Sequence, residues 1–562
     1  MRRASSTRPP LPDYFEIVVI GGGINGVAIA RQCALSGRRV LLLERNDFAS
    51  GTTSRSTRII HGGLRYLEHA EITLVRESLR ERERLLRLHP NLVRPMDFVI
   101  ALEDGSRRSA LEIRAGLWLY RKLAGVRPPA RAGVELQQLE RLLDSGQRWS
   151  LFHYEDAQCE FPERLVAEWL IDAIEAGAIV RNHTEALELE VEDGCVRAVL
   201  CRDLLTKEEC EVEAARVINA TGPWADHLCA SAGLDTGGPM VGGVRGTHIV
   251  LPLFPGAPKN AVYMQAKDGR PIFVIPWNRQ LLVGTTEIPD HGDPARVQPT
   301  REEIDYLLAS LNRSFPAARV SEPDIVYAFS GIRPLPYVES EEPSAISRRH
   351  LLHDHAADGA SGLISVIGGK LTTAASLARD CARVLGLKVS VPVVPYAAVG
   401  DASGIESTFT QWAHMIAGAA KIDVSSARAI ASWQGRHALC VAHLAQTCPS
   451  LAEPIAEGTD HIIAEAVNAV RFECAVTLAD ILLRRVPVAL SANWDESATR
   501  QAGERIGKAL GWPTAQIELQ IQDFEAEKNA FLHKPLRAEG SGEHRDRQLP
   551  ISSRNETPKH IA

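Results

Sequence analysis

Several things are missing from this sequence, and each absence narrows what the chain can be. No window holds about 20 uninterrupted apolar residues, so no helix is expected to span a membrane. There is no excess of positive charge. The formal net charge is −7, which leaves general nucleic-acid binding without electrostatic support, and no nucleic-acid partner is expected. The ten cysteines include no C-x-x-C pair, so neither a zinc site nor a disulfide framework is read and no metal is expected. Single buried thiols in a reducing compartment fit better. The opening MRRASSTRPPLPDY is basic and Pro/Ser-rich but lacks an apolar run. It is no secretory signal and reads as a frayed arm over residues 1–13. No internal repeat is found.

What is present is an ordinary globular composition, 45% hydrophobic and 24% charged, over 562 residues. That length suggests roughly two to four structural units. The clearest local signal is FEIVVIGGGINGVAIARQCALSGRRVLLLERNDF. A β-branched apolar run at 15–20 reads as a buried strand. Glycines follow, then an Ala-rich helix to about Ser36, a Gly37 cap and a second strand RVLLLE. This is a βαβ unit opening a doubly wound sheet, an α/β Rossmann-like domain.

Gly21, Gly23 and Gly26 fit G-x-G-x-x-G in that full context, with Glu44 closing the second strand. Gly21 permits a tight turn, and Gly23 lets a pyrophosphate approach the helix N-terminus. Gly26 lets helix and strand pack closely, and Glu44 can accept from ribose hydroxyls. The motif alone does not separate NAD from FAD.

Residues 71–89, with interleaved Glu and Arg, read as a helix whose charges form a solvated face. A second helix is read at 163–177, and strand-like segments at 180–218 and 244–290. Residues 363–386 repeat the strand, Gly turn, helix pattern. Beyond about 395 the texture becomes Ala-rich and helical, including one long helix over IIAEAVNAVRFECAVTLADILLRR, whose closing Arg pair reads as surface charge. From about 536 the chain has no apolar period and is expected to be disordered.

The segments IVVIGGGINGVAIA, TSRSTRIIHGGLRYLEH, NATGPWAD, FVIPW, LLVGTTE, SGIRPL and SVIGGKLTT together resemble the flavin-dependent glycerol-3-phosphate dehydrogenases, within the D-amino-acid-oxidase-like flavoproteins. The resemblance runs from about 15 to 395 and more weakly into the C-terminal helices. It implies a discontinuous FAD-binding domain over 14–395, with antiparallel substrate-domain segments at about 96–200 and 236–325. A C-terminal α-helical domain follows over 396–535, with a tail at 536–562.

The resemblance implies FAD. Thr52, Thr53, Ser54, Ser56 and Thr57 would offer hydroxyls and backbone N–H groups to its phosphates and ribityl chain. His61, Gly62 and Gly63 would lie against the ring, the glycines removing side chains there. Ala220, Thr221 and Gly222 form a second contact turn. Gly368, Gly369, Leu371 and Thr372 meet the pyrimidine end, where a helix N-terminus would stabilise negative charge.

For the substrate, a phosphomonoester demands guanidinium or ammonium groups. The resemblance points to Arg65, Arg333, Arg348 and Lys370, with Tyr66 orienting hydroxyls. From spacing alone Arg65 would sooner pair with Glu68 on the surface; the motif match reverses that. The implied reaction takes sn-glycerol 3-phosphate to dihydroxyacetone phosphate, with hydride passing from C2 to flavin N5 and electrons on to a quinone. His248 is the expected base, with His61 and Arg333 as rivals for a catalytic role. The alternatives are an FAD-dependent oxidase for another small alcohol, 2-hydroxy acid or amine, and a flavoprotein without turnover. A carboxylate substrate needs fewer cations than are found here.

Three departures from the family pattern are visible. Arg58 and Arg245 stand where Lys is usual, keeping the charge and with it phosphate binding. DAQCEFPERLV differs more and puts the substrate wall in question. Residues 107–131 interleave Leu111, Leu117, Trp118, Tyr120 and Leu123 with Arg107, Arg108, Arg114, Arg121, Lys122 and Arg127, which suits an interfacial anchor. The expected place is therefore cytoplasmic, on the inner face of the membrane, with quinone or another electron acceptor as partner. The C-terminal helices are read either as a cover for the FAD domain or as a homodimer surface.

Overall fold

The computed structural model describes residues 8–106, 108–125, 132–339, 346–389 and 402–534. Most of the expected arm, the boundary near 395, Arg107, Arg127 and the 536–562 tail lie outside them.

The βαβ reading gives strand β1 (Tyr14–Ile20), helix α1 (Ile24–Leu35) and strand β2 (Val40–Leu43), with β1 and β2 parallel. Two sheets then share the remaining strands. The second sheet takes β3 (Ile59–Ile60), β4 (Val93–Glu103) and β5 (Trp149–Cys159). The first takes β6 (Ile179–Arg181), β7 (Thr184–Glu192), β8 (Cys195–Asp203) and β9 (Glu209–Asn219). The chain returns to the second sheet for β10 (Val241–Pro252), β11 (Ala261–Gln265), β12 (Pro271–Trp277), β13 (Gln280–Gly284), β14 (Ile288–Pro289) and β15 (Tyr327–Pro336). It closes in the first with β16 (Leu351–Asp354) and β17 (Leu363–Ile367).

The first sheet has the order β16-β17-β9-β1-β2-β6, with β7 and β8 extending it beside β9. Its central pairs are parallel, as a doubly wound sheet requires, and Val18, Val19, Leu41 and Leu42 are fully buried. The second sheet has the order β14-β10-β13-β12-β11-β4-β5-β3, with β15 beside β10, and is antiparallel except between β4 and β11. The expected 96–200 segment is therefore divided. Residues 179–200 belong to the first sheet, because β6 pairs with β2 and β8 with β9. The later segment extends past 325 to Pro336, because β15 pairs with β10 along ten positions.

Two helices pack beside β4 and β5 of the second sheet: α2 (Ile72–Leu88) and α3 (Ala110–Ala124). The face of α2 is not wholly solvated. Glu81 and Arg82 are buried, Arg82 reaching Asp156 at 2.8 Å.

The C-terminal helices Ala402–Ala420, Val424–Gln434, Ala438–Thr447, Ile463–Phe472, Glu496–Leu510 and Thr514–Phe531 form their own cores and also pack on the second sheet. The single helix expected over 462–485 is broken. Cys474 takes a positive φ, and the Asp480 carboxylate accepts from the Val476 and Thr477 N–H groups to start a wide π-type turn, Asp480–Arg485. The Arg pair is not surface charge either. Arg484 and Arg485 are buried and converge on Asp47, just past β2.

Candidate active site

One cavity of about 930 Å³ runs from the end of β1 across to β10 and β15. Its first third is the Gly turn. Added to Gly26, a Cβ would sit 1.8 Å from Gly21 O, and one on Gly21 would sit 2.5 Å from Ala220 O. Gly23 has only Thr53 Oγ1 near, at 3.4 Å, so its face is open to the cavity. Thr53 Oγ1 accepts from Ile24 N–H at 3.0 Å and so caps α1. Glu44 is half-buried at the wall and already accepts from the Gly22 and Asn46 N–H groups at 2.6 and 2.8 Å; desolvation raises its carboxyl above the usual range.

The middle of the cavity is the 50–57 loop. Thr52, Thr53, Ser56 and Thr57 line it, as do Thr221, Gly222 and, further on, Gly368, Gly369 and Leu371. Gly26, Ser54, Gly62, Gly63 and Thr372 stand behind the wall. Ser54 Oγ turns back to donate to Gly51 O at 3.1 Å, and Thr372 Oγ1 accepts from His61 N–H at 3.2 Å. The reason for the glycine pair differs from the expected one. On Gly62 a Cβ would strike Tyr120 Oη at 2.2 Å, and Gly63 has φ +80° with Tyr66 against it. Internal packing, not approach to a ring, excludes side chains there.

The far end holds the charges. Arg65, Arg333 and Arg348 come together as expected, but around a carboxylate that sequence reasoning passed over: Glu287, at 3.5, 3.5 and 3.0 Å respectively. Arg65 thus pairs with Glu287. Against the upward push of burial, Arg333, Arg65 and Arg348 hold the Glu287 carboxyl below its usual range. Burial, with Arg348 beside it, lowers Arg333 to about 10. Lys370 lies 4.3 Å from the Tyr66 ring centre and donates to Ser78 Oγ at 3.0 Å; burial brings it down to about 7. Burial likewise lowers His61 and His248 to about 3, helped by Lys370 for the first and Arg333 for the second. Both imidazoles are neutral at physiological pH. His248 stacks on Phe329 with ring centres 5.1 Å apart, and Thr57 Oγ1 lies 2.9 Å from its Nε2. Its Nδ1 is buried without a hydrogen-bond partner among the described residues, and so is Arg333 Nη1, whose contact is the 3.5 Å ion pair with Glu287.

The substituted cations behave differently from expectation. Arg58 is sealed against Glu163 at 2.9 Å with both side chains fully buried, and Arg245 pairs with Asp290 at 2.8 Å and Glu303 at 3.1 Å. Both charges are consumed internally and add nothing to anion binding. The divergent DAQCEFPERLV segment is scaffold. Asp156 accepts from Gly62 N–H, Arg82 and Tyr120, while Arg164 pairs with Glu473 of the C-terminal helices at 2.6 Å. Asp156 also lines the cavity. Nothing in the spacing marked Glu287, although LLVGTTE contains it; Asp156 was passed over because its partners come from three separate elements.

On α3, Leu117 and Tyr120 are buried, whereas Leu111 and Trp118 are 74% and 63% exposed, with Lys122 5.2 Å from the Trp118 ring. Among the described residues no helix is long and apolar enough to cross a membrane.

These features fit an extended dinucleotide with a ring at the charged end. The open face of Gly23, the turn hydroxyls, His248 with its unbonded Nδ1, and Arg333 all border one continuous space. Comparison with known proteins agrees. A family model described as FAD dependent oxidoreductase matches residues 16–375, and one described as the C-terminal domain of alpha-glycerophosphate oxidase matches 397–517. The chain is 39% identical over 535 residues to a glycerol-3-phosphate dehydrogenase of Synechocystis sp., covering 91% of this chain and 95% of that protein. It is 38% identical over 373 residues to the aerobic glycerol-3-phosphate dehydrogenase of Escherichia coli (strain K12), covering 65% and 72%. The solved glycerol-3-phosphate dehydrogenase from Bacillus halodurans, complexed with FAD, superposes with a TM-score of 0.73 at 24% identity, over 94% of this chain and 97% of that one.

Proposed function

The chain belongs to the FAD-dependent oxidoreductases of the glycerol-3-phosphate dehydrogenase family, and from that premise we propose that it oxidises sn-glycerol 3-phosphate to dihydroxyacetone phosphate. The observation that carries this reading is the convergence of Arg65, Arg333 and Arg348 on one point, with Lys370 lining the same cavity. Lys370 also feels Glu77 and Glu71, and the gathering of three guanidiniums with an ammonium at one end of the cavity suits a phosphomonoester, which carries nearly two negative charges.

Bound FAD supplies the two-electron acceptor for the C2 hydride. The residues supply the rest. Arg65, Arg333, Arg348 and Lys370 bind the phosphate, and Tyr66, pressed between Gly63 and Lys370, orients the hydroxyls. His248 takes the C2 hydroxyl proton. Being neutral it can accept one, and Thr57 and Phe329 fix its ring. The arriving substrate dianion raises the basicity of the imidazole by offsetting Arg333. His61, its ring centre 5.9 Å from that of Tyr66 and within reach of the Lys370 charge, serves the ring side of the site. Thr52, Thr53, Ser56, Thr57, Glu44, Thr221, Gly222 and the 368–371 turn hold the cofactor.

For the acceptor we read a quinone. The cavity has an apolar wall of Phe98, Ile100, Ile113, Tyr154, Tyr263 and Phe273. Ile113 lies on α3, whose Leu111 and Trp118 face outward on the side suited to a membrane surface.

The deciding experiment adds sn-glycerol 3-phosphate to the oxygen-free holoprotein. Bleaching of the visible flavin band by this compound but not by glycerol is expected. A band that stays oxidised overturns the substrate and moves the reading to another small alcohol, 2-hydroxy acid or amine.

A further inference from the structure

We propose that His353, His355 and Asp358 form a binding site for a divalent transition-metal ion of the zinc class, on the β16–β17 hairpin and outside the flavin cavity. The site is independent of the reaction, since none of the three residues lines that cavity.

The placement follows from strand geometry. β16 is the edge strand of the first sheet, so one of its sides faces solvent. Residues two apart on a strand project to the same face. His353 is on the strand and His355 lies one residue past its end, where the chain begins to turn, and their ring centres are 4.5 Å apart. The chain then folds back, and Asp358 brings its carboxylate to both: Oδ2 lies 2.7 Å from His353 Nε2 and 2.8 Å from His355 Nδ1. One ligand atom from each of the three lies within 4.8 Å of the others. The turn is held by its backbone, with Asp358 and Ala360 N–H both donating to His355 O, and His355 N–H donating to Leu363 O.

The outer nitrogen of His355 is also held. Nε2 is 2.8 Å from Ser365 Oγ, which accepts from Asn219 Nδ2 at 3.0 Å. A metal-bound imidazole needs such a partner on its second nitrogen to fix ring and tautomer. With an ion present, His355 carries its proton on Nε2 and donates to Ser365 Oγ, whose hydroxyl turns to Cys229 Sγ at 3.6 Å. His353 carries its proton on Nδ1. A tetrahedral ion with bonds of about 2.0–2.1 Å spaces its ligand atoms about 3.3 Å apart, so the two N···O contacts open by roughly half an ångström. The His353 side chain is 40% exposed, which leaves the remaining coordination position to water.

Two other clusters of ligating residues serve as internal contrasts. Asp47, His183 and Asp480 are crossed by Arg484, which bridges both carboxylates, while Arg485 also pairs with Asp47. In the third cluster, of Glu77, His350 and Asp380, Asp380 is paired with Arg383.

The test uses tag-free, full-length holoenzyme, stripped with a chelator and dialysed, then titrated with cobalt(II) and zinc(II). Expected are one equivalent of cobalt, a ligand-field band beyond the flavin absorption, and its loss on adding zinc. His353→Ala and Asp358→Asn should each weaken zinc binding at least about tenfold while the flavin spectrum and turnover stay unchanged. His350→Ala should change nothing. No saturable cobalt band overturns the proposal, as does undiminished binding in the two variants or a zinc site that disappears with His350.

Discussion

At the scale of single residues the site is a balance of charges. Replacing Arg333 with Met removes a half-buried guanidinium that contacts Glu287 and Thr285. Steady-state kinetics should show KM for the phosphate substrate rising by at least about tenfold, the loss typical of a charge-assisted contact. Glu287→Gln removes the carboxylate that Arg65, Arg333 and Arg348 share. Its melting temperature at low salt should fall by about 2–4 °C, and added sulfate or phosphate should restore it. If sulfate does not restore it, the three arginines do not share one anion site. Lys370 gives the pH dependence. An amine brought down to about 7 is charged below that value and neutral above it. In kcat/KM profiles, phosphate-substrate affinity should therefore weaken as pH rises through about 7. Lys370→Arg should push that limb upward, because a guanidinium keeps its charge. The cations were legible in sequence because they sit in family-specific motifs. Glu287 was not, because a carboxylate within an anion site contradicts the simplest charge argument.

At the scale of elements, the Asp480–Arg485 turn acts on the cofactor loop from a distance. Asp47 lies three residues beyond Glu44 and accepts from Arg484 Nε at 2.5 Å, from both Arg485 Nη atoms at 2.7 and 2.8 Å, and from Asn182 at 2.9 Å. Arg485→Met leaves the buried carboxylate short of partners, a strongly destabilising change. FAD titration of the apoprotein should show affinity weakened by roughly tenfold, with kcat unchanged at saturating FAD. α3 makes a separate prediction. Trp118→Asp should abolish binding to anionic lipid vesicles in a flotation assay while turnover with a soluble dye acceptor stays constant. Element periodicity was readable wherever one face was apolar, as in β1, α1 and the helix Pro162–Glu175. It failed at 473–485, where a side-chain carboxylate and a positive φ at Cys474 override local helical preference. It also misjudged α2, because Arg82 and Glu81 are buried by partners far away in sequence.

At the scale of the whole molecule, the two sheets and the C-terminal helices are joined by buried charge as well as by apolar packing. Arg164 meets Glu473, Arg484 and Arg485 meet Asp47, and His533 bridges to Ala328 on β15. The βαβ opening and the helical C-terminal texture were legible from composition and period. The joints between them were not, since a pairing across hundreds of residues leaves no local trace. One such joint bears on synthesis. Asp47 and Arg485 are 438 residues apart, so at about 5–20 residues per second the ribosome makes the anchor roughly 20–90 s after the loop it secures. The turn after β2 is thus made long before the turn that locks it. A chain interrupted before residue 480 leaves Asp47 with its Asn182 contact but without either arginine, and that half-made joint is what the cell's quality control meets.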